Sequence, residues 1–139
     1  MKFKGGGSGP LMLFCRLKGE GGRVREVPAV LEPSFDACII LRGDAVQLGY
    51  GSVTYRPEDW QDTNPTEVSY ITSIKGVELG TWVKLKEVSI GELRVENVDA
   101  VVTKMEFPGM IYAAAFLGRS FLKHFKLEVD PKSNTFSLT

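Results

Sequence analysis

The chain has 139 residues, of which 43% are hydrophobic and 24% are charged, and its formal net charge at pH 7 is zero. This length and composition predict one soluble globular domain with a single core. The zero net charge argues against a nucleic acid or an acidic membrane as partner, and it leaves self-association unopposed by charge repulsion.

The first part of the chain consists of a glycine-rich segment followed by the pattern of a hairpin. Residues 1–10 contain the run Gly-Gly-Gly-Ser-Gly-Pro and are predicted to be a flexible N-terminus ahead of one domain over residues 11–139. A phosphate-binding loop is excluded there, because no Gly-Lys-Ser/Thr follows and no helical pattern begins. Residues 11–17 and 24–31 have the composition of strands, with Gly-Glu-Gly-Gly at residues 19–22 between them. This pattern predicts a β-hairpin.

The next segments predict a buried strand, a helical turn and a loop. Residues 37–41 are continuously apolar, which favours a strand that is buried on both faces. Residues 44–49 are typical of one helical turn that ends at a glycine. Residues 51–66 are polar and contain prolines, which predicts a surface loop.

A long hairpin is predicted after this loop. Residues 68–74 and 81–88 have strand composition, and the tip between them lies near Gly76 or Gly80. Residues 93–98 alternate apolar and polar side chains, which predicts a half-buried strand throughout that segment.

The C-terminal part of the chain completes the pattern. Residues 110–117 are a buried apolar run, and residues 119–125 are predicted to form a short helix. Residues 127–129 and 135–138 are predicted to form a last hairpin, with proline and asparagine in its turn. Many short strands, tight turns and one short C-terminal helix predict an all-β fold, a small closed or partly closed β-barrel.

Cysteine content and apolar segments limit the cofactor and the location. The two cysteines, Cys15 and Cys38, are too few for a disulfide framework or a zinc site, so we expect two buried apolar residues and no metal. Glycines follow residues 1–4 where a secretory signal would have its apolar core. The longest apolar stretch, residues 110–117, is too short to span a bilayer. These features predict a cytoplasmic protein with no membrane partner.

Three segments resemble the retropepsin-like, or retroviral-type, aspartic proteases, and they occur in the order of that family. The first is Glu-Pro-Ser-Phe-Asp at residues 32–36, where the family has Asp-Thr/Ser-Gly-Ala after an apolar strand, followed by Ala-Val-Gln-Leu-Gly at residues 45–49. The second is the hairpin around Gly76, in the place of the family's flap. The third is Phe-Leu-Gly-Arg-Ser-Phe-Leu at residues 116–122, which is similar to the motif before the family's helix. The resemblance covers residues 11–139 and implies a closed barrel that forms one cleft as a homodimer.

The resemblance also implies a charged pair and a set of peptide-binding positions. In retroviral members the second acid of the catalytic loop pairs with an arginine after the glycine of the third motif, and those positions here hold Asp36 and Arg119. Arginine suits a bidentate contact with a carboxylate, although two unrelated surface charges are the alternative interpretation. The implied peptide-binding residues are Phe35, Asp36, Lys75 and Gly76.

The loop departs from the family pattern at the three positions that carry catalysis. The family's reaction uses two carboxylates, one from each protomer, that share a proton and act as base and acid on one water. Glu32 keeps an acid at the catalytic position but adds a methylene and a rotatable bond. Pro33 has no hydroxyl and no N–H to tie the two loops together, and Ser34 has a Cβ where the family has glycine. Together these changes predict a homodimeric pseudo-protease that retains its peptide-binding cleft.

Two alternatives stay open. An active or weakly active aspartic endopeptidase would use a dyad of two Glu32 side chains, whereas a structural dimerisation domain would have its cleft blocked by Pro33, Phe35 or residues 51–66. His124 is the only histidine, and no serine or cysteine stands at a recognisable triad spacing from it, which argues against a catalytic or metal-binding role. The expected ligand is a peptide or a protein segment, with no cofactor.

Overall fold

The computed structural model describes residues 2–4, 12–50, 67–72, 76–103 and 115–139. The strands in these residues are β1 (Lys2–Lys4), β2 (Met12–Lys18), β3 (Val24–Leu31), β4 (Cys38–Ile40), β5 (Glu67–Thr72), β6 (Gly76–Ile90), β7 (Leu93–Thr103), β8 (Ala115–Leu117), β9 (Leu127–Asp130) and β10 (Thr135–Leu138). The α-helices are α1 (Arg42–Gln47) and α2 (Arg119–Leu122).

Six strands close into a barrel in the order β2-β3-β8-β4-β7-β6, and β6 pairs back onto β2. The β3–β8 and β4–β7 pairs are parallel, and the other pairs of the ring are antiparallel. Strand β5 lies outside the ring and pairs with β6 as a hairpin. The prediction of an all-β fold built on a small closed barrel is confirmed.

A second sheet involves the N-terminal residues. Strand β1 pairs with β10, which pairs in turn with β9, and the ring of Phe3 stacks on that of Phe136 at a centroid distance of 5.1 Å. The sequence instead predicts a flexible N-terminus over residues 1–10. Three residues are too few to show a strand period, and β1 takes its hydrogen bonds from a strand at the far end of the chain. The glycine-rich residues 5–10 lie outside the described residues.

The hairpin predicted from the first two strand patterns is present. Met12 lies opposite Val30 and Lys18 lies opposite Val24, so β2 and β3 pair along their length. The connecting turn contains Gly21 at φ 64, a left-handed conformation that glycine adopts without steric cost.

The alternation predicted for residues 93–98 changes phase within β7. Val95 and Val98 are both buried, whereas the two residues between them are both exposed. One of these is Asn97, at φ 56, and asparagine tolerates this left-handed conformation better than most residues do. After this change Ala100 and Val102 are buried in the barrel core, and Val101 between them is buried as well. A strictly alternating pattern assumes extended backbone at every position, so it misses this change.

The buried apolar side chains form two clusters. The larger cluster fills the barrel and includes Leu17, Leu85 and Phe121, which are all fully buried. The smaller one, called here the second cluster, consists of Val30, Phe35, Ile39 and Phe116, with Met12 packed against it. Among the described segments, no helix has both the length and the apolar character that crossing a membrane requires.

Both helices are short and lie at strand ends. Helix α1 begins two residues before the predicted helical turn, and it is followed by Gly49 at φ 91, which is a common way to end a helix. The buried carboxylate of Asp44 in α1 accepts two hydrogen bonds from the guanidinium of Arg25 on β3, at 3.1 and 3.2 Å. Helix α2 ends at Leu122, three residues before the predicted end, because the chain turns there.

Candidate functional site at the loop after β3

The loop after β3 begins with a β-turn that the sequence favours. The backbone N–H of Glu32 donates to the carbonyl oxygen of Leu117 at 3.0 Å, which continues the pairing of β3 with β8. The N–H of Phe35 then donates to the carbonyl oxygen of Glu32 at 3.1 Å. Pro33 therefore occupies the second position of a four-residue turn, where its fixed φ is favourable.

The carboxylate of Glu32 is bound by its own loop. The hydroxyl of Ser34 donates to Glu32 Oε1 at 2.5 Å, and the Ser34 N–H approaches the same oxygen at 3.4 Å. Glu32 is partly buried, and both Pro33 and Ser34 are exposed. Residues 32–34 therefore form a local unit, with the acid at the strand end held by the serine two residues later.

The loop lies directly against the start of α2. The N–H of Arg119 donates to the carbonyl oxygen of Phe35 at 2.8 Å, and the N–H of Ser120 donates to that of Asp36 at 2.9 Å. A Cβ on Gly118 would lie 2.7 Å from the Phe35 oxygen and 2.3 Å from the oxygen of Ala37. Only glycine permits this approach, so the third motif of the sequence serves to support the first.

Ser120 joins three parts of the site, a role that the sequence motif did not predict. Its hydroxyl donates to the carbonyl oxygen of Asp99 on β7 at 2.7 Å and accepts from the N–H of Cys38 on β4 at 3.0 Å. The side chain of a serine in the first turn of a helix usually forms a hydrogen bond with the backbone of that same helix. The pattern therefore gives no signal for these contacts with distant strands.

The structure brings Asp36 and Arg119 together. Arg119 Nη2 donates to Asp36 Oδ1, and the two side chains are 57% and 90% exposed respectively. An ion pair this exposed contributes little to stability, so its main effect is to orient the two side chains beside the loop. Asp36 is thus paired with Arg119, whereas Glu32 lies directly at the end of β3.

The other sequence-predicted residues lie in different settings. Phe35 is 6% exposed and packs in the second cluster, with its ring centroid 5.5 Å from that of Phe116. Gly76 is the first residue of β6 and lies opposite Thr72 of β5, close to the hairpin tip. Lys75 lies outside the described residues, as does the loop of residues 51–66.

The two cysteines are free and buried. Burial raises the pKa of the Cys15 thiol to about 12. Burial also raises the pKa of Cys38, an effect that its hydrogen bond with Ser120 partly opposes. Both thiols are therefore neutral near pH 7 and are poor nucleophiles. Within the described ranges, no group of three or more His, Cys, Asp or Glu side chains is placed to hold a metal ion.

Comparison with known proteins identifies the type of barrel. No family model matches the sequence, and no curated protein matches it. Among solved structures, the chain is similar to the crystal structure of a retropepsin-like aspartic protease from Rickettsia conorii, with a TM-score of 0.66 and 15% sequence identity. The match covers 99% of this chain and 88% of that chain. At this identity the likeness shows the fold, so the barrel described above is retropepsin-like.

Proposed function

We propose that this retropepsin-like chain is a homodimeric pseudo-protease, which binds an extended peptide or protein segment without hydrolysing it. The observation that carries the proposal is the 2.5 Å hydrogen bond from the Ser34 hydroxyl to the Glu32 carboxylate. Through this bond the carboxylate of Glu32, at the end of β3, is held by a residue of its own loop. The solved structure of similar fold is described as an aspartic protease. Hydrolysis by that class of enzyme needs two carboxyl groups that act together.

The chemistry of hydrolysis argues against activity in this loop. Two carboxylates must lie close enough to share one proton and to act together on one water. Glu32 has a longer side chain than aspartate, and a displacement of roughly 1 Å at a reacting group can reduce the rate about a hundredfold. Pro33 has no N–H and no hydroxyl with which to tie one loop to another. The Ser34 hydroxyl that remains is bonded to Glu32.

A peptide-binding role is supported by the hairpin of β5 and β6. Among the residues that the structure describes, β5 pairs with β6 alone and is the terminal strand of its sheet. A strand with an unpaired edge offers backbone donors and acceptors to an extended segment, which adds as a further strand. This recognition does not depend on the catalytic acid, so a binding cleft can persist when catalysis is lost.

Dimerisation and location are parts of the same proposal. Each chain presents one acid at the end of β3, so a cleft of the family's type needs a second copy of the chain. The zero net charge leaves such self-association unopposed by charge repulsion. The free thiols of Cys15 and Cys38 are compatible with the reducing environment of the cytoplasm.

An active endopeptidase is the second candidate function, and one observation favours it. Glu32 stands at the end of β3 in a loop that Gly118 and two backbone hydrogen bonds hold in place, so a carboxylate is retained in a defined position. Two such side chains at a dimer axis would share a proton in the manner of the aspartate pair.

The structural dimerisation domain with a blocked cleft has less support. Of the residues expected to fill the cleft, Pro33 is exposed, and Phe35 packs into the second cluster of its own chain. The loop of residues 51–66 lies outside the described residues.

The test compares cleavage of an unfolded protein mixture, from acidic to neutral pH, by four forms of the chain. These are the natural chain, Glu32→Ala, the restored loop Glu32→Asp/Pro33→Thr/Ser34→Gly, and Glu92→Ala, a matched removal of an exposed glutamate in the turn after β6. Sedimentation equilibrium on each form reports dimerisation, and a peptide-library screen on the natural chain and Glu32→Ala reports binding.

The proposal expects cleavage by the restored loop alone, dimers in all four forms, and peptide binding that survives Glu32→Ala. Cleavage by the natural chain and by Glu92→Ala, but not by Glu32→Ala, would establish the active endopeptidase instead. Dimers that neither cleave the protein mixture nor bind a peptide would support the structural dimerisation domain instead.

A further inference from the structure

The outer face of the barrel carries a row of two arginines with a serine between them. Arg16 on β2 lies opposite Ser89 on β6, and Ser89 lies opposite Arg94 on β7. Directly opposed residues on neighbouring strands lie on the same face of a sheet. The arginine side chains are 57% and 65% exposed, whereas Ser89 is 8% exposed. Two exposed cations therefore flank one buried hydroxyl-bearing residue.

This row forms part of a groove of about 370 Å³. The lining residues come from β2, β3, β6, β7 and the turns beside them, and they are Arg16, Lys18, Gly22, Val24, Glu87, Ser89, Gly91 and Arg94. An adjoining hollow of about 240 Å³ shares Ser89 and extends to Phe14, a residue that is 74% exposed. The volume is sufficient for a small ligand.

The charges in the groove favour an anion. Three cationic side chains line it, whereas Glu87 is the carboxylate among its lining residues. Arg16 uses one nitrogen for Glu26 at 3.3 Å, and Arg94 Nε lies 3.7 Å from Glu87 Oε1, beyond hydrogen-bond distance. A guanidinium has five N–H donors, so each arginine keeps donors for a ligand. Exposed ion pairs of this kind are weak and yield readily to a doubly charged ligand.

We propose that this groove is a binding site for a phosphate group, carried either by inorganic phosphate or by a phosphate monoester. A phosphate has several acceptor oxygens and close to two negative charges, which match two arginine forks, the Lys18 ammonium and the hydroxyl of Ser89. A carboxylate has one charge and would leave part of this donor set unused. Phe14 lies on the same face of β2 as Arg16, two residues away, and would contact an aromatic ester group.

The groove is separate from the candidate site at Glu32. Lys18 and Val24 pair at one end of the β2–β3 hairpin, whereas Met12 and Val30 pair at the other end, next to the Glu32 loop. The rise of a strand places the two sites roughly 20 Å apart. Phosphate binding is therefore independent of whether the loop after β3 hydrolyses or only binds peptides.

The test is a titration of the full chain with inorganic phosphate and with phenyl phosphate, followed by amide NMR shifts. Chloride at matched ionic strength controls for screening. The site predicts saturable shifts at residues 16–18, 22–24 and 87–94, and phenyl phosphate is expected to add shifts at Phe14. The site also predicts a Kd at least about tenfold weaker in Arg16→Ala/Arg94→Ala, since two charge-assisted contacts are removed. Arg42→Ala, an exposed arginine in α1, is the matched control and is expected to bind as the natural chain does.

Ser89→Ala removes one proposed ligand contact and leaves the charge of the groove unchanged. It is expected to weaken phosphate binding, which separates the loss of a contact from the loss of charge. Tighter binding of phenyl phosphate that disappears in Phe14→Ala identifies an aromatic monoester as the source, and equal affinities identify inorganic phosphate. Shifts that chloride reproduces, shifts confined to residues that line neither the groove nor the adjoining hollow, or equal affinity in the double variant and Arg42→Ala would each overturn the proposal.

Discussion

Gly118 and Ala37 approach so closely that a Cβ on Gly118 would lie 2.3 Å from the Ala37 carbonyl oxygen. This contact joins the start of α2 to the loop that carries Glu32, and backbone hydrogen bonds from the next two residues of α2 reinforce it. The position of the candidate acid therefore depends on a glycine far away in the sequence.

Gly118→Ala is expected to destabilise the fold by about 2–3 kcal/mol, because the backbone of one segment must shift to accept the added carbon. Gly43→Ala is the matched control, since Gly43 lies in α1 with nothing within 4 Å of an added Cβ. It is expected to be neutral or stabilising by up to about 1 kcal/mol. Urea unfolding of both variants measures the difference, and equal effects would contradict the close contact.

Ser120→Ala is expected to destabilise the chain by about 1–3 kcal/mol. The substitution removes the acceptor for the buried Cys38 N–H and the donor to the Asp99 carbonyl oxygen. Ser133→Ala removes an exposed hydroxyl whose contacts with the Thr135 hydroxyl and the Asp130 side chain lie within the exposed last turn, and it is expected to change stability by less than about 0.5 kcal/mol. Thermal or urea unfolding compares the stabilities of the two variants. A Ser120→Ala variant as stable as Ser133→Ala would show that the hydrogen bonds of Ser120 with Cys38 and Asp99 do not stabilise the fold.

The sequence anticipated the barrel better than it anticipated the site. Local patterns predicted the β2–β3 hairpin and the buried β4, because strand period and turn residues are local properties. The phase change at Asn97 and the pairing of β1 with β10 were missed, because they depend on a backbone conformation and on a partner outside the local pattern. The Ser34–Glu32 bond was equally hidden, since a motif gives residue types without their side-chain directions.

The Arg25–Asp44 pair is expected to stabilise the fold more than an exposed pair does. The Asp44 side chain is 8% exposed and accepts two hydrogen bonds from Arg25, whereas both members of the Arg16–Glu26 pair are more than half exposed. Double-mutant cycles with alanine should give a coupling energy of about 1.5 kcal/mol for the half-buried Arg25–Asp44 pair. They should give about 0.5 kcal/mol or less for the exposed pair. Similar coupling energies would mean that burial of Asp44 adds nothing to the contact between β3 and α1.

The buried thiols make stability sensitive to alkaline pH. Burial raises the pKa of Cys15 from 9.0 to about 12, so the folded state holds this proton more tightly than the unfolded state does. The stabilisation is complete below the unfolded pKa and is lost as pH rises from 9.0 towards 12. Burial of Tyr50 likewise raises its pKa from 10.0 to about 12, so its contribution begins to be lost about one pH unit higher.

Cys15→Ala is therefore expected to flatten the decline of stability between about pH 8 and pH 10. One thiol that ionises only in the unfolded state lowers the free energy of unfolding by about 1.4 kcal/mol at one pH unit above its unfolded pKa. The variant loses packing in the core at every pH, but it lacks this one titration, so its free energy of unfolding should fall less steeply than that of the natural chain. Urea unfolding at several pH values measures both slopes, with Val46→Ala, an exposed apolar residue of α1, as the control that should keep the natural slope. Parallel slopes in the natural chain and Cys15→Ala would show that the thiol ionises equally well in the folded barrel.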